Sequence, residues 1–449
     1  MTTPAPMPDH VPEGDIVIGD RPQPGARDKR EPWNGSEPEK RPRTKKRPRI
    51  LGIDAARGFA VIGMVAVHTM PAWNDGVREV SMTYEIFAGR SAQLFALLAG
   101  LSLAIISGMS KIHTGRRLRR DRWNVFFRVV FMIILGGVIN LAPIPVYNIL
   151  PYYAFFFLFA IPFLGLGARS LFLLSFVTAI VGPLLRYFAI ATFDFEFLNR
   201  PDIIDMLYAQ PLTSLSSLIF TGVYPAITWM AYIFLGMAIG RLDLRNLSVV
   251  IKLGFYSLVT AVTFGFISDI VMQNRAMYEI TEATDSMSYD DVWELVQFGG
   301  RLPSSTLWWQ FVVGPHTNTI ASVFFAGALA AVAVSAFLVL ERAVVHLLEP
   351  LIAVGSMSLT VYVAHMLFLY FFKPAVNDFP VVMTVVQIVV AVVFAVFWKA
   401  AVGQGPLEKM QAVITKSAAR RVVPERPEEF ATQPRRVEDI AKKAASHRE

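Results

Sequence analysis

The 449-residue sequence contains no cysteine. Disulfides, thiolate nucleophiles and Cys-ligated metal sites are excluded together. Charge is also scarce. Asp, Glu, Lys and Arg make up 17% of the chain, against about 25% in a typical soluble domain. There are only seven histidines, and no two stand in a His-x-x-x-His spacing, so a helical metal pair is not offered and no metal is expected. No internal repeat is visible. The matched broken helices that mark many transporters are therefore missing. The N-terminus has no short apolar core followed by a small-residue cleavage site, so it does not read as a secretory signal.

Long apolar runs are what the chain has instead. It is 54% hydrophobic, with a mean hydropathy of +0.46. Ten stretches approach the ~20 residues that cross a bilayer core: 52–71, 87–108, 124–142, 148–166, 169–190, 218–240, 249–271, 318–340, 351–372 and 380–401. The expected fold is an all-α polytopic transmembrane bundle. Residues 1–49 are rich in proline and charge and read as a disordered basic tail. Residues 50–410 form the transmembrane domain, and 411–449 a second charged tail. An even number of spans puts both tails on one side. Eleven Lys and Arg then fall in the short inner loops and five outside, which places both termini in the cytoplasm by the positive-inside rule. The run Arg41–Arg49 resembles a nucleic-acid patch, but beside a first span it reads better as an anchor to anionic lipid.

Two outer loops, about 191–217 and 272–317, are long enough to be functional. The second carries Val292–Phe298 and Leu307–Phe311, aromatic pieces suited to an interface or a lid.

Polar residues inside apolar runs are the functional candidates. Asp54 and Arg57, three apart, share a helix face at the inner end of the first span. An arginine fork there suits phosphate. His68 lies at the outer end of the same span, followed by Pro71 and the Trp73-Asn-Asp-Gly76 turn. Arg90 enters the second span from outside, and Ser91 and Gln93 follow it. His316 stands at the mouth of the eighth span and His365 near the middle of the ninth. Arg186, near the end of the fifth, reads equally as a snorkelling residue. Imidazole, with a free pKa of about 6.5, is a suitable general base.

The order of several motifs carries a resemblance. Gly52-Ile-Asp-Ala-Ala-Arg-Gly58, Ala72-Trp-Asn-Asp-Gly76, Phe95-Ala-Leu-Leu-Ala-Gly100, Asn148-Ile-Leu-Pro-Tyr-Tyr-Ala154, Gly222-Val-Tyr-Pro-Ala-Ile-Thr-Trp229, Ser358-Leu-Thr-Val-Tyr-Val-Ala-His365 and Gly405-Pro-Leu-Glu408 resemble those of the heparan-α-glucosaminide N-acetyltransferase-like membrane acyltransferases and their bacterial DUF418/DUF1624 relatives. The resemblance implies a donor, acetyl-CoA or another acyl-CoA, bound from the cytoplasm, and an acceptor on the far side. It implies a histidine near the outer end of the first span as base or acyl carrier. The animal enzyme places that histidine just before its W-N-G turn. Here Met70-Pro71-Ala72 stands in that place, so the role falls to His68 or His316, with Arg90, Ser91 or Asn74 as oxyanion donors. Asp54, Arg57, Arg117 and His365 are then expected on the cofactor side.

The expected function is transfer of an acyl group, acetyl in the first instance, to an envelope sugar or glycolipid at the outer face of a plasma membrane. Membrane lipid, acyl-CoA and that acceptor are the expected partners. Nucleic acid is not expected, and homodimerisation is left open. The alternatives are a transporter or flippase of an envelope precursor and a membrane scaffold. A high-GC bacterial source is suggested only by the Ala, Val and Arg usage.

Overall fold

The computed structural model describes residues 49–73, 79–193, 195–196, 198 and 200–424. The tail expected over 1–49 lies almost wholly outside them, as do Asn74, Asp75 and the last part of the C-terminal tail.

The described residues are helical, with one isolated β-bridge between Trp73 and Val80. In chain order the helices are α1 (Leu51–Thr69), α2 (Met82–Phe87), α3 (Arg90–Ile106), α4 (Gly115–Ile139), α5 (Leu150–Ala160), α6 (Ala168–Thr192), α7 (Pro211–Ser216), α8 (Ala226–Gly240) and α9 (Leu247–Val271). Then follow α10 (Met277–Glu282), α11 (Tyr289–Phe298), α12 (Ile320–Val344), α13 (Glu349–Ser356), α14 (Ser358–Phe371), α15 (Lys373–Asp378), α16 (Pro380–Ala401) and α17 (Pro406–Val422). Seven are long and apolar enough to cross a membrane, alone or with a continuing helix. The bent pair Pro211–Thr221 and Ala226–Gly240 adds an eighth, and Leu150–Gly165 and Ser358–Phe371 are shorter apolar helices. All ten expected stretches fall on helices. The chain is an all-α polytopic membrane bundle.

Three boundaries differ from the sequence reading. α4 starts at Gly115, nine residues earlier than expected, because its basic first turns continue the helix and dock on α17: Arg120 Nε donates to Val423 O at 3.0 Å. The stretch 351–372 divides at Met357. There Glu408 of α17 accepts from the Leu359 and Thr360 amides at 2.7 and 3.1 Å and starts a new helix by satisfying donors that a helix N-terminus leaves open. Finally, residues 411–422 continue α17 instead of starting a tail. Pro406 and Glu408 in its first turn and Arg420 and Arg421 in its last match the helix dipole.

The interior is built where glycine lets backbones touch. A Cβ on Gly100 of α3 would overlap the Ile233 carbonyl of α8, and one on Gly236 of α8 would overlap the Leu97 carbonyl of α3. Ser91 and Gln93 are buried on α3.

The segment between α9 and α12 is a folded cap. Ser288 and Asp291 form a reciprocal capping box on α11, which satisfies two open amides at once. Met272, Ala276, Ile280, Val292, Leu302, Trp309 and Val312 give the cap its own core. It packs on Trp73 and on α2: Trp73 stands against Phe298 with ring centroids 4.1 Å apart, and Tyr84 Oη donates to Phe298 O at 2.9 Å.

Candidate active site

α1 joins two polar centres. Arg57 and His68 are eleven residues apart. Three turns of α-helix take about 10.8 residues, so both lie on nearly the same face, ~16 Å apart along the axis.

At the basic end, Asp54 is buried beneath two arginines. Arg49 Nε approaches Asp54 Oδ2 at 2.5 Å, and Arg57 Nη1 approaches Oδ1 at 2.9 Å. Arg57 Nη2 also donates to Ser102 Oγ at 2.6 Å, which ties the guanidinium to α3. Asp54 thus orients Arg57, as the three-residue spacing suggested. Arg128 of α4 lies close enough to Arg57 for their charges to interact, and its Nε is buried without a hydrogen-bond partner among the described residues. Arg128 escaped the sequence reading. Its signal was present: a cation inside the apolar run Phe126-Phe-Arg-Val-Val130, which is expensive unless it serves an anion or a partner. Arg117 is exposed on the first turns of α4. It stands eleven residues, ~16 Å of helix, from Arg128, and no contact among the described residues joins it to Arg57.

At the cap end, three side chains form a line across α1, α14 and α16. His68 Nδ1 is 3.0 Å from His365 Nε2, and His365 Nδ1 is 2.6 Å from Gln387 Oε1. The two rings are nearly parallel, 12° apart. Next to them Thr69 Oγ1 meets Thr384 Oγ1 at 2.6 Å, a second tie between α1 and α16. With the Gln387 oxygen facing the ring and both imidazoles neutral, the line has one proton arrangement. His365 Nδ1 donates to that oxygen and its Nε2 is a bare lone pair. His68 Nδ1 then donates to it, leaving His68 Nε2 unprotonated. That is the tautomer a general base needs. Sequence placed His365 on the cofactor side; the fold places it against His68. Gln387 was missed, and a single glutamine in Thr384-Val-Val-Gln-Ile-Val-Val390 was the only sign of it.

His316 lies in the loop Gly314–Thr319 that leads from the cap into α12. Its ring meets Tyr224 edge-on, with centroids 5.4 Å apart, and it is within electrostatic range of His68. Burial pushes its imidazole down to about 4. His316 and Asn318 have φ of 55° and 58°, a left-handed conformation uncommon outside glycine. The loop is held there by Asn318: its Oδ1 accepts from Trp229 Nε1 at 2.6 Å, and its Nδ2 donates to His316 O at 2.7 Å. Behind His316, Tyr153 Oη is buried with no partner among the described residues, in the neighbourhood of Tyr224 and Tyr362.

Arg90 makes no hydrogen bond to a histidine among the described residues, although Gly89 beside it packs against the backbone of Pro315 and His316. Its guanidinium donates to the Glu85 carbonyl and lies over the Phe325 ring, 5.5 Å from the centroid. Among the described residues, no group of three or more His, Asp or Glu side chains is placed to hold a metal.

The two centres sit inside a region that a family model recognises. The model, described as an acyltransferase domain, matches residues 50–402. The chain belongs to this acyltransferase family. The match takes in both ends of α1 and the whole His68–His365–Gln387 line. It carries the acyltransferase part of the resemblance drawn from the motifs and not the narrower likeness to heparan-α-glucosaminide N-acetyltransferases. No curated protein matches the chain. This acyltransferase is an integral, multi-pass membrane protein.

Proposed function

We propose that the protein takes an acyl group from acyl-CoA, bound at the basic end, and passes it to a sugar or glycolipid acceptor at the cap end, as in the motif resemblance. The basic end is cytoplasmic and the cap end faces outward, the orientation favoured by the distribution of Lys and Arg. The observation that carries this reading is the single face of α1, with Arg57 at one end and an imidazole of defined tautomer at the other. Arg57 and Arg128 supply charge-assisted hydrogen bonds to donor phosphates. His68 Nε2 removes the proton from the acceptor O–H or N–H as that atom attacks the thioester carbonyl. The C–S bond breaks, the acyl group stays on the acceptor, and the CoA thiolate recovers the proton from the imidazolium. His365 and Gln387 act through His68 and are positioning residues. Ser91 and Tyr153 carry buried hydroxyls without a hydrogen-bond partner among the described residues and are the donors proposed for the oxyanion.

The test uses membranes containing the protein, [¹⁴C]acetyl-CoA and a total envelope glycolipid extract. Wild type transfers label. His68→Ala lowers the rate ~10²–10⁴-fold, the usual contribution of a positioned base. Transfer lost in His316→Ala and kept in His68→Ala moves the base to His316. No transfer by wild type with any chain length of acyl-CoA removes the acyl-CoA reading.

A further inference from the structure

Arg186 lies less than two turns from the end of α6 and takes no part in either centre. It is 7% exposed. Its Nε donates to Phe220 O at 3.1 Å, and neither Nη has a hydrogen-bond partner among the described residues. Its charged neighbour is Arg301, of the same sign, and no carboxylate among the described residues acts on it. A snorkelling arginine keeps its head in bulk water. This one turns it toward a narrow cleft lined also by Tyr187, Ser304, Trp309, Gln310 and Thr317. A buried cation with unmet donors is costly unless an anion completes it.

The remaining walls suit a small polar ligand. Gln310 Oε1 accepts from the Ile320 amide at 3.2 Å, while its NH₂ has no partner among the described residues. Thr317 Oγ1 donates to Gly314 O at 2.8 Å, leaving lone pairs that can accept. Tyr187, half-buried, is the aromatic side chain of the wall that solvent reaches. Thr317 follows His316 directly, so one short loop borders both this cleft and the histidine centre.

We infer that the cleft is an anion subsite for the acceptor: both Arg186 Nη groups grip a carboxylate or phosphate, with the Gln310 amide donating beside them. The acceptor class is then an acidic sugar, a uronate or sugar phosphate, or a sugar carried on a phosphate-bearing lipid. The word acceptor rests on the acyl-transfer reading; the anion subsite does not.

The test is equilibrium dialysis of the full chain in phosphatidylcholine nanodiscs with [¹⁴C]glucuronate and [¹⁴C]glucose 6-phosphate. Saturable binding of at least one is expected, with no competition from glucose. Arg186→Gln weakens it at least ~10-fold, the loss expected for a charge-assisted pair. Arg186→Lys keeps the charge, loses the fork and falls between the two. Arg186→Lys also serves if Arg186→Gln fails to fold. Nanodiscs containing phosphatidylglycerol separate the sources: competition assigns the anion to a lipid headgroup, its absence to a soluble acceptor. No saturable binding by wild type, or equal binding by both variants, overturns the subsite. The assay needs no transfer, so a protein that binds the probe and never moves label keeps the subsite and loses the acyltransferase mechanism.

Discussion

Helices α1 and α9 are both long apolar segments, yet they do opposite things. In the most apolar stretch of α1, 61% of residues are buried in protein; in that of α9 only 11% are. α9 shows Phe255, Val262 and Phe266 outward, each more than 60% exposed, and its contact with the bundle is one narrow stripe against α12. α1 is wrapped by α3, α12, α13 and α16 and is the less apolar of the two. Lipid solvates α9 without asking for specificity. Protein surrounds α1 and gives polar side chains their partners, which is the condition under which a membrane helix tolerates them. Chemistry therefore collects on the helix that hydropathy would rank lower.

This contrast can be tested in steps. The largest difference is expected between His68→Ala, with its ~10²–10⁴-fold loss of turnover, and Val262→Ala on α9, which leaves label transfer within about twofold because that side chain is 62% exposed. Arg57→Gln comes next. It raises the KM for acyl-CoA by about 10–100-fold, the range of one charge-assisted hydrogen bond, with a smaller change in kcat; equal KM in the variant separates Arg57 from the donor. Gly236→Ala puts a methyl group against the Leu97 carbonyl and costs about 1–3 kcal/mol of stability, read as a lower melting temperature in detergent. Gln387→Leu lowers kcat by about tenfold through loss of the His68 tautomer, one neutral hydrogen bond's worth, and Gln387→Glu, which still accepts from His365, restores most of it.

The smallest effect concerns pH. His316 has a pKa near 4 when folded, against about 6.5 when exposed. The folded loop therefore prefers the neutral ring. Its stability is complete above pH 6.5 and declines as pH falls toward 4, because the open form binds the proton first. Protection from hydrogen exchange in residues 312–319, taken relative to the intrinsic rate at each pH, should fall over that window in wild type. It should stay flat in His316→Asn, where asparagine tolerates the same φ.

The sequence made the bundle legible because apolar runs and charge bias are local properties. It also made α1 legible, since Asp54, Arg57 and His68 lie on one segment and helical spacing relates them directly. Their partners come from far along the chain. His365 stands 297 residues from His68, and Gln387 a further 22. No periodicity connects such residues, so neither the contact of His365 with His68 nor the part played by Gln387 is visible in the sequence. Arg90 stood out by its position against the charge trend, and its contacts with the Glu85 carbonyl and the Phe325 ring come from tertiary packing that no local pattern announces. The cap hid its structure in the same way: the capping box is readable in Ser288 and Asp291, but its core forms only when Met272 and Val312 meet.

The glutamates that start two helices have a consequence for alignment. Glu341 accepts from the Leu51 and Gly52 amides, both at 2.8 Å, and Glu408 accepts from those of Leu359 and Thr360. One sets the height of His68, the other that of His365. A slip of one residue moves a helix by about 1.5 Å along its axis, enough to pull the two imidazoles out of their 3.0 Å contact. The two carboxylates thus act as a gauge for the histidine pair from the opposite end of the bundle. Half of that gauge lies at residue 408, beyond the last residue of the family match. The packing that sets the register of α14 therefore runs past the domain that gives the protein its family.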